Sequence, residues 1–175
     1  MVGRMGPTPR GPPAWEDRPD QEDPLEPTVP PPPGDARLTP FLMFEGRARE
    51  AIDLYVSLFD DGRVLSLRPW GPDGPGAPGT VEHAELVLAG QRVLCFDSPV
   101  PHAFGFTPAL SLYVACRDRA EIDRLFAALA EGGEVLMALD DHGFSDRFGW
   151  VNDRFGVSWQ LNLDRADPDE VSAHG

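Results

Sequence analysis

The segment 81–88, VEHAELVL, holds the pairing of side chains with the most chemical promise in the chain. His83 and Glu85 stand two residues apart, so on a β-strand they project from one face. Ala84, Leu86 and Leu88 take the opposite face and suit a packed core. A carboxylate beside an imidazole orients the ring and favours its charged form, which suits general acid–base catalysis. The same pair, joined by Asp97 or Gln160, offers weak candidate donors for a divalent metal. A pair on the wet face of a sheet, or at a seam between subunits, has the same spacing. The residues alone leave these readings open.

Other candidates would wall a pocket rather than react. In SWQLNL (158–163) Ser158, Gln160 and Asn162 alternate with Trp159, Leu161 and Leu163. Period-two alternation turns the polar set toward a pocket or water. Phe41 and Met43 share one face of an early strand, and Ser111 and Tyr113 one face of a later one. These six residues, Phe41, Met43, Ser111, Tyr113, Ser158 and Gln160, form the candidate substrate pocket. His102 and His142 fall in connecting segments and His174 near the end of the chain, so all three read as surface residues. Asp153 and Arg154 read as turn or ion-pair residues. No Ser-His-Asp or Cys-His nucleophile arrangement can be argued from the sequence.

The elements that position these side chains follow a repeating order. Residues 38–44 read as a strand, and 47–59 as a helix with Ala48, Ala51, Ile52, Tyr55, Val56 and Phe59 on one face. Strands follow at 63–70, 81–88 and 92–97, with a Gly/Pro loop at 71–79. After a linker the order returns: a strand at 109–115, then a helix opened by the capping pair Asp118 and Glu121 and stopped by Gly132-Gly133. Strands at 135–139, 147–153 and 157–163 complete it. RAREAID (47–53) lies over RDRAEID (117–123) at an offset of about 70 residues, the mark of an internal duplication. The expected architecture is α+β: two tandem βαβββ modules, 37–98 and 108–164, forming a curved eight-stranded mixed sheet with helices outside and a concave cup.

Composition narrows the function. The net charge of -14 over 175 residues leaves little to neutralise phosphates, so neither nucleic acid nor an anionic membrane is an expected partner. No apolar run approaches the ~20 residues of a membrane span. The start lacks the apolar stretch of a secretory signal, and the expected location is the cytoplasm. Cys95 and Cys116 sit in apolar runs without ligand spacing and read as buried thiols. Residues 1–36 alternate proline with acid and are expected to form a disordered arm, and 165–175 a frayed end.

The succession TPFLMF, EAIDLYVSLF, HAELVLAGQRVLCFD, ALSLYV and FGWVNDRFGVSWQLNL resembles the PhnB-like branch of the vicinal-oxygen-chelate superfamily, which includes glyoxalase, bleomycin-resistance and dioxygenase proteins. The likeness covers about 38–163, and 148–163 is its most specific part. It implies a small-molecule ligand, bound in the cup with or without His83/Glu85 acid–base chemistry. The alternative it implies is a metal-free sequestering protein of the antibiotic-resistance kind. It also implies a homodimer. In metal-using relatives, ligands come from the first and last strands of each module. Here those positions carry Thr39 or Pro40, Cys95 with Asp97 nearby, Ala109 and Gln160. None is histidine, so a divalent metal cofactor is disfavoured. Such proteins often bear the label demethylubiquinone methyltransferase. That role is disfavoured too, because the glycine-rich stretch GPDGPGAPG is interleaved with prolines that lack the N–H a cofactor turn needs.

Overall fold

The computed structural model describes residues 38–165. The expected arm at 1–36 and the end beyond residue 165 lie outside the described residues. Two βαβββ modules follow one another. The first comprises β1 (Phe41–Phe44), α1 (Ala48–Leu58), β2 (Arg63–Pro69), β3 (Val81–Leu88) and β4 (Gln91–Asp97). The second comprises β5 (Ser111–Ala115), α2 (Arg119–Ala130), β6 (Glu134–Asp140), β7 (Arg147–Asn152) and β8 (Ser158–Leu163). The strands form two four-stranded sheets with matching orders, β1-β4-β3-β2 and β5-β8-β7-β6. In each, the first and last strands run parallel and the remaining pairs antiparallel. The modules and mixed strands are those expected. The eight strands divide into two hydrogen-bonded sheets, a partition that alternation cannot reveal.

The two helices start differently. Asp118 accepts from the Glu121 amide at 2.8 Å, and Glu121 accepts from the Arg117 amide at 2.7 Å, so α2 is capped by its own neighbours. Arg47, which precedes α1, provides no side-chain cap. Asp97 at the end of β4 supplies it instead, accepting from the Ala48 amide at 2.9 Å and from the Val81 amide at 2.9 Å. β1 begins at Phe41 rather than at residue 38. Pro40 has no N–H to donate, and only its carbonyl joins the ladder, accepting from Leu94 at 2.9 Å.

Each helix is followed by a glycine in equivalent position. A Cβ on Gly62 would lie 2.2 Å from the Val56 carbonyl oxygen, and one on Gly133 2.2 Å from that of Asn152. Backbone cannot yield as a flexible side chain can. Gly133→Ala is expected to cost about 1–3 kcal/mol of stability in urea unfolding. Gly71→Ala, where nothing lies within 4 Å, is the matched control and should be near neutral.

One apolar core runs through both modules. Ile52 and Tyr55 from α1, Leu86 and Val93 from sheet one, and Leu125, Trp159 and Leu161 from module two belong to it. Tyr55 meets Trp159 with ring centroids 5.2 Å apart. Arg124 of α2 donates to the Leu58 carbonyl at the end of α1 at 2.7 Å. Cys95 and Cys116 lie in this core as free thiols. Burial pushes both up to about 12. Because the thiolate is the reactive form, a thiol reagent at pH 8 should leave both unmodified in the native protein and label both in urea. Native-state labelling would show that the core opens readily.

Candidate functional site

The face of sheet one that points away from α1 gathers the strongest candidates. Strand register fixes its layout. Phe41 lies beside Leu94, which lies beside Glu85. Met43 lies beside Phe96, and His83 beside Arg68. Phe41 is 55% exposed. Its ring meets Phe96 at 5.0 Å and the edge of His83 at 6.1 Å. Phe41, Phe96 and His83 therefore make an aromatic platform on an open sheet face. Met43 is half-buried and reaches a neighbouring cleft of about 220 Å³ with Phe104, Phe106 and Phe155.

Glu85 has a partner that sequence spacing did not suggest. Arg92 on β4 forms an ion pair with it across the face. Both are largely covered, and no hydrogen bond joins Glu85 to His83 among the described residues. The two share a face, as the period of two required, but the carboxylate is bound to a guanidinium rather than turned to the imidazole. Arg92 was missed because its side chain reaches Glu85 across the β3–β4 ladder. The signal was present in the short turn joining those strands, which sets their register.

The exposed-side face of sheet two carries the other candidates. Ser111 and Ser158 stand opposite each other, with hydroxyls 2.8 Å apart. Gln160 donates to Ser111 at 3.3 Å, and the Trp150 indole donates to Ser158 at 2.8 Å. Four side chains are thus tied into one network, and Tyr113 beside Gln160 stays 59% exposed. Ser158 is the departure from expectation. Like Asn162 it is buried, here beneath this network, where the alternation pattern turned both toward a pocket or water. It still borders a recess of about 190 Å³ shared with Leu42, Phe106 and Leu112.

The weak metal candidates are not brought together. Asp97 is turned to the helix side, and its two carboxylate oxygens accept the Ala48 and Val81 amides. Cys95 is buried on that side as well. Gln160 belongs to the other sheet. Among the described residues no three His, Cys, Asp or Glu side chains converge as a metal-binding group. The donor set at the strand positions, Thr39, Pro40, Ala109 and Gln160, does not fit a tight divalent site. His142 bonds the Ala138 carbonyl at 2.9 Å and stacks near Phe144. His102 lies 2.8 Å from the Ser98 hydroxyl, a linker contact that the sequence did not suggest.

Two tandem βαβββ modules with open faces of this layout define a vicinal-oxygen-chelate protein of the PhnB-like branch. The chain belongs to the family described as 3-demethylubiquinone-9 3-methyltransferase, whose model matches residues 36–162. It is similar to the solved PhnB protein from Bacillus cereus, with 52% identity and a TM-score of 0.72, over 73% of this chain and 99% of that one. A crystal structure of a Pseudomonas aeruginosa protein matches at 32% identity and TM-score 0.65, covering 75% and 99% of the two chains. An uncharacterized protein of Mycobacterium bovis is 33% identical over 151 residues, which is 78% of this chain and 90% of that one. No helix among the described residues is long and apolar enough to cross a membrane.

Proposed function

We propose that the chain binds a small molecule against the open face of sheet one, as a metal-free capture protein. The observation that carries this reading is the platform of Phe41, Phe96 and His83 beside the Glu85–Arg92 pair. An aromatic ring left more than half exposed on a sheet face is a stacking surface for a planar ligand. A second copy of the chain would enclose it, because Phe41 and Tyr113 lie on edge strands that nothing among the described residues covers. Both cysteines are free thiols, which suits a cytoplasmic setting.

Acid–base chemistry is the second reading, favoured by the place of His83 on this face. It stands behind capture because Glu85 is engaged by Arg92, and among the described residues no carboxylate is hydrogen-bonded to His83. Methyl transfer, the activity in the family's description, draws no support from the glycine-rich stretch. Residues 71–79 connect two antiparallel strands, β2 and β3, rather than opening a helix whose N-terminus would meet a cofactor.

Thermal-shift screening of planar aromatic and carbonyl-bearing molecules tests both readings. Hits should raise the wild-type melting temperature, lose their effect in Phe41→Ala, and lose only part of it in His83→Ala. Turnover of a hit, abolished in His83→Ala with affinity retained, would move the assignment to acid–base catalysis. A hit that binds Phe41→Ala as well as wild type would remove the platform from the site. Sedimentation of the protein at micromolar concentration should show a dimer. A monomer would refute the enclosing second copy.

A further inference from the structure

We infer that Arg92 selects the ligand's charge, so that the face of sheet one takes a planar molecule bearing an oxyanion such as a carboxylate. This rests on the reading of that face as the binding site and adds the chemical class it accepts.

The first support is the balance of charge. The chain carries a net -14, yet this face runs the other way. Arg92 lies opposite Val87, Arg63 also opposite Val87 from the far strand, and Arg68 opposite His83. Directly paired residues share a face, so three guanidinium groups and an imidazole line it against two carboxylates, Glu85 on Arg92 and Glu82 on Arg68. Glu82 meets Arg68 at 2.6 Å where the β2–β3 register shifts, and the face keeps one guanidinium in excess. A cationic patch on an acidic protein concentrates anions against the general field.

The second support is the state of Arg92 itself. A guanidinium has five N–H donors in a planar fork. Here one terminal nitrogen meets Glu85, while the Nε–H is buried and, among the described residues, has no hydrogen-bond partner. A single contact to one carboxylate oxygen leaves most of the fork unused. The arginine is therefore already held in place, next to the aromatic platform, with donors to spare. A carboxylate on a ring stacked against Phe41 would meet such a fork through two parallel hydrogen bonds. The face of sheet two offers no comparable cation: Ser111, Tyr113, Gln160 and Trp150 are neutral.

The probes are 2-naphthoate and its uncharged counterpart 2-naphthamide, with affinities measured by calorimetry on the full chain. Wild type should bind the naphthoate at least tenfold more tightly than the amide. Arg92→Met should bring the two to equal affinity. Arg92→Lys should keep a reduced preference, since it retains charge without the fork. Glu85→Gln should strengthen naphthoate binding several-fold by freeing the guanidinium, and it provides an opposite-signed test if Arg92→Met folds poorly. Phe41→Ala should weaken both probes alike. Equal wild-type affinity for the two probes, or a preference that survives in Arg92→Met, would overturn the role of Arg92 while leaving the site in place. Binding of neither probe would overturn both the site reading and this inference.

Discussion

Replacing Asp153 with alanine is expected to lower the unfolding free energy by about 3–5 kcal/mol, a large part of the roughly 5–15 kcal/mol a domain has. Asp153 is 3% exposed, and four donors converge on its carboxylate. The Tyr55 hydroxyl donates at 2.7 Å and the Trp159 indole at 2.9 Å. The Phe155 and Val157 amides donate at 2.8 and 3.0 Å. Alanine would leave all four without an acceptor in a buried site, and each such group costs about 1–3 kcal/mol before any relaxation. The contributions are coupled, so the sum is less than their simple total.

Tyr55 lies on α1 in the first module and Asp153 in the second, so this carboxylate fastens one module to the other. Burial is the main cause that raises the Tyr55 phenol above its ordinary range, so it remains a donor at any working pH. Asp153→Ala should therefore broaden the urea transition as well as shift it, because the modules lose a shared anchor. Tyr55→Phe removes one donor and should cost about 1.5–3 kcal/mol. A double-mutant cycle should give a favourable coupling. A loss below about 1 kcal/mol in Asp153→Ala would show that the four bonds do not hold the modules together.

Asp97→Ala is expected to cost about 2–4 kcal/mol, and its effect should concentrate in α1. The side chain is 2% exposed, and both its oxygens are used, one by the first turn of α1 and one by the start of β3. Loss of a helix cap costs about 0.5–2 kcal/mol, and the abandoned Val81 amide adds about 1–3 kcal/mol. Hydrogen exchange should report faster opening of α1 than of α2, whose cap at Asp118 is untouched. Unchanged protection of the α1 amides would assign its stability to packing alone. Asp97→Asn retains one acceptor oxygen and should fall between wild type and alanine.

These two carboxylates act over distances that leave no local pattern in the sequence. Asp118 was legible as a cap because its partner is three residues away. Asp97 was not, since it caps a helix 49 residues upstream. Local sequence marks Asp153 as a turn residue. It does hold the turn, through Phe155 and Val157, but its bond to Tyr55 spans 98 residues and leaves no local trace. The pairing of His83 with Glu85 shows the same limit. Their common face was legible from the period of the strand, and the diversion of Glu85 to Arg92 was not.

The sequence by itself determined the order of elements, the duplication, most of the buried stripe of α1 and which strand residues share a face. Each depends on a local period or turn that neighbouring residues set. Tertiary structure alone decided that the strands form two sheets, that Asp153 ties the modules together, that Ser158 is covered, and that Arg92 stands over the candidate site. These depend on contacts between residues far apart in the chain, made only after the ladders have fixed their register.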